Sequence, residues 1–383
     1  MPPQAIYFDN NATTPVDPRV LDVMHRCWQT GFANPGSQHS FGRAARTLLE
    51  DSREQIAAIL DADPSEVIFT SGGTEAINAA VAGLTAGRHG SIALTAGEHP
   101  ATREACLRAA STGLKLHNIP VNSHGLLDHH ALEKLPWTEL RLAAVILAHN
   151  ETGVIQDTSA LAELCRTHRV PLLLDAVQAV GKIDFSFRQS KAAAVAFGAH
   201  KFHGPRGIGA LLVQRGVRLP PLLVGGHQES GRRAGTEPVP LAAGMAAALH
   251  HWHTERHSRQ QHVSQLRNLL EAGLNELCHP IVIHGRHTHR LPNTVNVAFP
   301  GISGEALLVN LHLAGIACSL GSTCASGSVE PAPVLLAMGI PEDVCLASVR
   351  FSLSWQNTEQ EVRAALPAIA AAVSRLRNGA TPQ

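Results

Sequence analysis

The sequence has no excess of charge of either sign and no long apolar run. Acidic and basic residues number 31 each, so bulk charge does not favour nucleic acid or an anionic membrane as a partner. No apolar run reaches the roughly 20 residues of a membrane span, and the first residues lack the basic start and apolar core of a signal peptide. We therefore expect a soluble cytoplasmic protein that binds neither nucleic acid nor membrane.

Cysteine is sparse and shows no paired spacing. Seven cysteines without a C-x-x-C motif fit a reducing compartment better than a disulfide framework, and they exclude an obvious zinc or dithiol site. Histidine is common by contrast, at 23 residues, and His250, His253 and His257 fall near one face of a predicted helix. Because no acidic residue or cysteine keeps a ligand spacing with these histidines, we interpret them as a solvated helix face and predict no metal site.

Lysine is the rarest charged residue, with five lysines against 26 arginines. One of them, Lys201, lies between an apolar run and a glycine-rich run in FGAHKFHGPRGIGALLV. Burial lowers the pKa of a lysine, and a neutral amine can act as a nucleophile that forms a Schiff base. Considered alone, Lys201 is more simply interpreted as a surface lysine at the end of a strand. The residues around it in the fold must therefore distinguish this interpretation from a buried nucleophile.

Short apolar runs alternate with helical patterns over the first two-thirds of the chain. This alternation predicts an α/β fold with mainly parallel strands and helices on both faces of the sheet. Beyond Pro238 the pattern changes to a long helix and then a smaller α+β unit, whose last helix begins with a T-x-x-E capping box at Thr358. We predict a large domain over residues 13–255 and a small domain over residues 1–12 and 256–383. The strand candidates are EVIFTSG, SIALTAG, LKLHNIPV, RLAAVILAHN, PLLLDAV, AAVAFGA and GIGALLVQRG.

Ligands of such sheets bind beyond the carboxyl ends of the strands, so the polar residues that follow each run are candidates for a site. After the first run, the backbone N–H groups of Gly72, Gly73 and Thr74, with the Thr74 hydroxyl, would face a phosphate at the start of a helix. Thr74 as an ordinary helix N-cap explains the same pattern equally well.

Three further runs end in groups that suit a pyridine ring or a substrate carboxylate. Asp175 would pair with a protonated ring nitrogen, or else with an arginine, and Gln178 one turn later would bond a ring oxygen. His99 would stack on the ring and move protons, or else be a structural histidine. Asn150 offers an amide to a carboxylate or a ring oxygen. Together with Lys201 and the phosphate cradle, this order of groups predicts a pyridoxal-phosphate site.

The motifs of the chain, in order, resemble those of the NifS/IscS-type cysteine desulfurases of the class V aminotransferase family. The resemblance spans nearly the whole chain and looks closest to the nitrogen-fixation NifS branch. It implies a fold-type I pyridoxal-phosphate enzyme with a seven-stranded sheet, a homodimer, conversion of L-cysteine to L-alanine, and sulfur transfer to an iron–sulfur scaffold or another acceptor protein. The motifs that carry it are YFDNNATTPVDPRV, NPGSQHSFGRAAR, FTSGGTEAIN, EHPA, NETG, DAVQAVGK, HKFHGPRGIGALLV, GGHQESGRRAGTE, LPNTVN, GSTCASGSVEPAPVL and VRFSLS.

The same resemblance implies a role for each candidate residue. Lys201 would bind the cofactor aldehyde, His99 would be the stacking acid/base, and Cys324 would receive the sulfur as a persulfide. Arg350 and Asn150 would hold the substrate carboxylate. The cofactor contacts are expected from Gly73, Thr74, His99, Asp175, Gln178, His200, Lys201 and, reaching from the other subunit, Thr236.

Three positions depart from the family pattern. Gly198 stands where the family often has a phosphate-binding serine, so one phosphate contact is expected to be missing. His149 stands where a second asparagine is usual, and Leu173 replaces a common histidine. None of these changes removes a catalytic group.

The segment around Cys324, CSLGSTCASGSVEPAP, is small, polar and rich in glycine, which predicts a mobile, exposed loop over about residues 318–333. A mobile thiol suits a group that must meet the substrate and then carry sulfur away. Two other interpretations stay open: another pyridoxal-phosphate reaction, such as that of an aminotransferase or a selenocysteine lyase, and a metal or sulfur carrier without enzymatic activity. The other cysteines are predicted to be small core residues, namely Cys27, Cys106, Cys165, Cys278, Cys318 and Cys345.

Overall fold

The computed structural model describes residues 5–87, 89–320 and 330–379. Within these ranges the chain forms three sheets and twelve α-helices. The strands are β1 (Ile6–Tyr7), β2 (Val67–Thr70), β3 (Ser91–Thr95), β4 (Lys115–Ile119), β5 (Leu140–Ile146), β6 (Leu172–Asp175), β7 (Ala194–Gly198), β8 (Gly209–Val213), β9 (Val282–Ile283), β10 (Thr294–Ala298), β11 (Ile316–Ala317), β12 (Ser319–Leu320) and β13 (Ser348–Ser352). The helices are α1 (Pro18–Thr30), α2 (Ser40–Ile59), α3 (Gly73–Thr85), α4 (Pro100–Ala110), α5 (His129–Glu133), α6 (Ser159–His168), α7 (Phe187–Ser190), α8 (Val239–Leu277), α9 (Gly304–Leu313), α10 (Pro333–Ala337), α11 (Glu342–Leu346) and α12 (Glu359–Gly379).

The largest sheet has seven strands in the order β2-β8-β7-β6-β5-β3-β4. Every residue of β3, β6 and β7 is buried, which explains why their apolar residues follow one another directly instead of alternating with polar ones. Strand β8 is antiparallel to both of its neighbours, because the chain returns from β7 through a short turn and not through a crossover helix. The predicted mainly parallel α/β sheet is confirmed.

The parallel strands deliver the candidate residues to one edge of this sheet. Strand β3 ends shortly before His99, β5 before Asn150, and β6 at Asp175 itself. Strand β7 leads directly into a 3₁₀ turn, Ala199–Lys201, that ends with the candidate lysine. Residues far apart in the sequence therefore meet at the carboxyl ends of the strands.

A second apolar cluster surrounds a four-stranded antiparallel sheet of order β12-β13-β10-β9. Helices α9 and α12 pack on it, and β1 pairs in parallel with β11 beside it. The 39-residue helix α8 joins this cluster to the core of the large sheet, since Trp252 packs in the first cluster and Val263 in the second. The predicted domain boundary between residues 255 and 256 lies inside this helix.

The last helix begins as the sequence predicts. The Thr358 N–H donates to the Glu361 side chain at 2.7 Å, and the Glu361 N–H donates to the Thr358 hydroxyl at 3.2 Å, which confirms the capping box. Across the described ranges, the helices are all too short or too polar to cross a bilayer.

Candidate active site

Lys201 lies at the centre of the carboxyl-end edge and is mostly shielded from solvent. Its Nζ atom donates to the backbone carbonyls of Asn11 at 2.7 Å and Ala12 at 2.8 Å. Burial, followed by the nearby charge of Arg350, lowers the pKa of Lys201 to about 8. A substantial fraction of this amine is therefore neutral near physiological pH, as the sequence predicts for a nucleophilic lysine.

Asn11 connects several of the candidate residues, and no local pattern singles it out. Its carbonyl accepts from Lys201 and also from Gln178 Nε2 at 2.9 Å. Its Oδ1 atom accepts from Lys182 Nζ at 2.8 Å and from Asn293 Nδ2 at 3.0 Å. One buried asparagine thus fixes the positions of two lysines and one glutamine.

The start of α3 is open toward the site. Its N-cap is Gly72, which offers no side-chain cap, so the first backbone N–H groups of this helix lack that partner. Thr74 is the second residue of the helix and is exposed, so the alternative interpretation of Thr74 as the N-cap is wrong. A helix N-terminus of this kind, 13 residues long and uncapped, fits a phosphate group.

Gly198 and His200 border the same space. A Cβ atom on Gly198 would lie 3.4 Å from the Gly73 nitrogen and 3.5 Å from His200 Cδ2. The His200 ring is held through a 3.2 Å hydrogen bond between Nδ1 and the Thr13 hydroxyl. Burial and the charge of Lys201 lower the pKa of His200 to about 4, so it is a neutral imidazole at pH 7.

Asp175 is a buried carboxylate, and none of the ion pairs formed by the described residues includes it. Its Oδ1 atom accepts from the Val177 N–H at 3.0 Å. Burial raises the pKa of Asp175 to about 6. The alternative of an arginine partner is therefore wrong for the described chain, and the unpaired acid fits a protonated pyridine nitrogen.

A second buried acid, Glu98, lies beside Asp175, and sequence reasoning missed it. Its Oε1 atom accepts from the Ile146 N–H at 2.7 Å, and Ile146 is paired with Asp175 across β5 and β6. Burial and the neighbouring Asp175 raise the pKa of Glu98 to about 8, so this carboxyl carries a proton at pH 7. Its position directly before His99 in the EHPA motif was the available signal.

His99 is both a structural and an accessible histidine. Its Nδ1 atom accepts from the Ala101 N–H at 3.1 Å and so caps α4. Lost hydration in this recess, together with the charge of Lys201, lowers the pKa of His99 to about 4, although part of the ring is open to solvent. Since Nδ1 is an acceptor, the proton of this neutral ring sits on Nε2, which is free to donate.

Arg350 is buried on β13 and faces the site across the boundary between the two apolar clusters. It donates to Asp9 Oδ1 and to Glu151 Oε1, both at 2.9 Å, and more weakly to the Asn150 carbonyl at 3.3 Å. Its Nε atom is buried without a hydrogen-bond partner among the described residues. The guanidinium therefore has an unused N–H group that suits a carboxylate ligand.

Of the two remaining predicted residues, one is exposed and the other is not described. Thr236 lies in an exposed segment before α8, and Cys324 lies outside the described residues. Cys318, a predicted core residue, is only partly buried and packs against the second apolar cluster. The remaining predicted core cysteines are confirmed as buried, namely Cys27, Cys106, Cys165, Cys278 and Cys345.

This site and fold define a fold-type I pyridoxal 5′-phosphate enzyme. The defining features are the seven-stranded sheet, the lowered pKa of Lys201, the uncapped start of α3 and the unpaired Asp175. Residues 6–365 match the aminotransferase class-V family model, and the chain belongs to this family. Its members depend on pyridoxal 5′-phosphate, and the site residues described above fit that group.

Individual relatives agree with this assignment. A cysteine desulfurase from a Nostoc species is 42% identical over 378 residues, which are 97% of this chain and 94% of the relative. The solved structure of a NifS-like protein superposes with a TM-score of 0.91 at 36% identity and covers 97% of this chain and 100% of that one. The structure of SspA in complex with cysteine superposes with a TM-score of 0.82 at 30% identity, covering 92% of this chain and 100% of that one.

Proposed function

We propose that this chain is a cysteine desulfurase that converts L-cysteine to L-alanine and transfers the sulfur to its own Cys324. The observation that carries the proposal is the position of Lys201, a lysine of depressed pKa, between the unpaired Asp175 and the carboxylate-binding Arg350. The similar cysteine desulfurase and the cysteine complex of a structural neighbour support cysteine as the substrate.

The cofactor would be held at its two ends by different elements. We assign its phosphate to the start of α3 at Gly73 and Thr74, with His200 beside it, and its ring to Asp175 and Gln178. His99 would cover one face of the ring. When bound, pyridoxal 5′-phosphate supplies an aldehyde that joins an amine and a ring that withdraws electrons from the neighbouring carbon.

Arg350 and Asn150 would bind the α-carboxylate of the substrate. The unused Nε–H of Arg350 gives a directional, charge-assisted hydrogen bond that a lysine would not provide in this geometry. Asn150 is oriented by a 2.6 Å hydrogen bond from its Nδ2 atom to Glu151. A carboxylate bound by these two residues would leave the substrate amine free to meet Lys201.

Lys201 and His99 would move the protons. A lysine with a pKa of about 8 is well matched to removing the Cα proton near neutral pH. His99 is neutral and carries its proton on Nε2, so it would donate to the substrate side of the site. Both groups lie at the carboxyl-end edge of the sheet.

Cys324 would act on the substrate sulfur. Its thiolate forms a new S–S bond as the Cβ–S bond of the substrate breaks, with the bonding electrons left on the carbon fragment. That fragment takes up a proton and leaves as alanine. L-cysteine and one protein thiol therefore yield L-alanine and one protein persulfide, with no further oxidant or reductant needed.

We further propose a cytoplasmic homodimer that delivers sulfur to an iron–sulfur scaffold or another acceptor protein. The exposed position of Thr236 supports its predicted reach into the partner's phosphate site. Light scattering of the purified protein should give twice the chain mass of 40.7 kDa. Thr236→Ala should weaken cofactor binding several-fold without changing that mass.

The function is tested by incubating the protein with L-cysteine and a thiol reductant and measuring alanine and sulfide together. We expect equal amounts of both, and Cys324→Ala should make almost no persulfide while Cys27→Ala, at a buried position on α1, behaves as wild type. An aminotransferase or a selenocysteine lyase would keep its own turnover in Cys324→Ala. A colourless protein that takes up no pyridoxal 5′-phosphate would refute the proposal.

A further inference from the structure

Lys182 is a second buried lysine beside the site, and the proposed reaction gives it no task. It follows Gln178 by one turn in the DAVQAVGK motif after β6. Its Nζ atom donates to Asn11 Oδ1 at 2.8 Å and to Gln178 Oε1 through a short hydrogen bond. Only 9% of this residue is exposed, which is unusual for a lysine and calls for a physical reason.

The surroundings of Lys182 favour the neutral amine. No carboxylate among the described residues forms an ion pair with it, and both of its partners are uncharged amide oxygens. Burial first, and then the charges of Lys201 and Arg350, lower the pKa of Lys182 well below its ordinary value. Two N–H groups of this amine are used, one by each amide oxygen.

The two N–H donors of Lys182 set the orientation of the Gln178 and Asn11 side-chain amides. Because Lys182 offers N–H groups to both, the oxygen of Gln178 and the oxygen of Asn11 must face it. The Nε2 group of Gln178 then points the other way, where one N–H binds the Asn11 carbonyl at 2.9 Å and the second is left over. The Asn11 amide nitrogen is likewise turned away and donates to the Asn150 carbonyl at 2.9 Å.

We propose that Lys182 is a positioning residue that turns Gln178 so that its remaining N–H faces the ring oxygen of the cofactor. It also holds Asn11 in the orientation in which its carbonyl accepts from Lys201. Without these donors, the Gln178 amide is held only by its bond to the Asn11 carbonyl, and a flip of this amide would present its oxygen to the ring oxygen and replace an attraction by a repulsion. This inference rests on the cofactor site assigned under the proposed function.

The test measures binding of pyridoxal 5′-phosphate to the apo protein by its visible absorption, in four variants. Lys182→Met keeps an unbranched side chain that is one atom shorter and removes the donors, so we expect affinity to fall about tenfold, the effect of one lost neutral hydrogen bond. Gln178→Met should lose about as much. The matched control is Lys191→Met. Lys191 is an exposed lysine that pairs with Glu163 at the surface, and this variant should bind the cofactor as wild type does.

The double variant Lys182→Met/Gln178→Met separates positioning from general damage. If Lys182 acts through Gln178, the double variant should bind no worse than either single one, whereas independent effects multiply to about a hundredfold. Multiplied losses, or wild-type affinity in Lys182→Met, would overturn the inference. If wild type itself takes up no cofactor, the proposed function fails instead.

A second measurement does not depend on the stability of Lys182→Met. In the ¹⁵N-labelled wild-type apo protein, the side-chain amide signals of Gln178 are identified by their loss in Gln178→Met. Addition of pyridoxal 5′-phosphate should shift these signals strongly, because the free N–H meets the ring oxygen. Signals that stay in place would show that Gln178 is turned away from the cofactor, and the inference would be rejected.

Discussion

A single oxygen of Glu151, Oε1, accepts hydrogen bonds from both Asn150 Nδ2 at 2.6 Å and Arg350 Nη1 at 2.9 Å. The two residues proposed to hold the substrate carboxylate are therefore already oriented by one internal carboxylate. Burial raises the pKa of Glu151, and the Arg350 charge opposes that rise. Under the proposed function, this acid would set the geometry in which the carboxylate of the substrate is received.

Removing this common acceptor should weaken substrate binding more than catalysis. In Glu151→Ala, both Asn150 and Arg350 lose their shared partner, and we expect the KM for L-cysteine to rise about tenfold with a smaller change in kcat. Glu151→Gln keeps an oxygen at the same place and should stay within about threefold of wild type. Steady-state kinetics with L-cysteine decides this, and an unchanged KM in Glu151→Ala would contradict the proposed carboxylate site.

The pKa of Lys201 should appear in the rate at which the apo protein binds pyridoxal 5′-phosphate. Only the neutral amine reacts with an aldehyde, so the rate should rise about tenfold per pH unit below pH 8 and level off above it. Stopped-flow absorption between pH 6 and 10 measures this profile. A free lysine side chain, with its pKa near 10.4, serves as the reference and should still gain rate up to pH 10.

The same profile tests the second cause of the depressed pKa. Because the Arg350 charge helps to disfavour the protonated amine, Arg350→Met should move the midpoint to higher pH. A midpoint that stays at the wild-type value would mean that burial alone sets the reactivity of Lys201.

Glu98 should destabilise the apo protein as pH rises. Its pKa is about 8 in the folded chain and near 4.3 in the unfolded chain. Between these two pH values the folded state binds one proton more than the unfolded state, so the free energy of unfolding falls as pH rises from about 4.3 to about 8. Glu98→Gln mimics the protonated acid and removes this loss. The difference in Tm between Glu98→Gln and wild type should therefore grow from pH 5 to pH 8 and stay constant above it.

The control for this prediction is Glu104→Gln on α4, whose side chain is 62% exposed. It measures the change in Tm that follows from removing an exposed carboxylate of this helix. Near pH 7, Glu98→Gln should also keep the holoenzyme activity within about twofold of wild type, because the wild-type side chain is already neutral. A large loss of activity would show that Glu98 works in its ionised form.

Gly198 offers a position for a gain of affinity. Its backbone, at φ −135° and ψ 134°, is ordinary extended structure, and a Cβ atom there would have no neighbour closer than 3.4 Å. Gly198→Ser therefore fits without strain and places a hydroxyl beside the Gly73 N–H, at the proposed phosphate site. We expect cofactor affinity to increase several-fold, measured by equilibrium titration of the apo protein.

Gly198→Ala adds the same Cβ atom without the hydroxyl and should leave the affinity near that of wild type. Equal affinities for Gly198→Ser and Gly198→Ala would show that the phosphate does not lie at this edge of the sheet.

Local patterns were sufficient to predict the sheet and the residues at its edge. The apolar run before Lys201 is a fully buried strand, and the T-x-x-E pattern at Thr358 is a capping box because both depend on neighbours within a few residues. Six of the strands follow the expected parallel arrangement, and the reversal at β8 follows from the short return after Lys201.

The residues that sequence reasoning missed act over long separations or through the backbone. Asn11 is separated from Lys182 by 171 positions, and its carbonyl, which any residue type possesses, is the group that contacts Lys201. Glu98 becomes important only because β5 and β6 place Ile146 next to Asp175. Such contacts depend on the tertiary arrangement and leave little trace in composition or spacing.

The continuous helix α8 has a consequence for which amino acids the site can accept. It packs in both apolar clusters and contacts the turn that carries Lys201 as well as β10, the strand paired with the Arg350 strand, so one continuous helix connects the two sides of the site. A distance between Lys201 and Arg350 that is set in this way would limit the separation of amine and carboxylate that the site can accept in the incoming molecule. Under the proposed function, we therefore expect α-amino acids to be preferred over their β-amino isomers, and we expect the scaffold to contribute to this preference beyond the few side chains that touch the ligand.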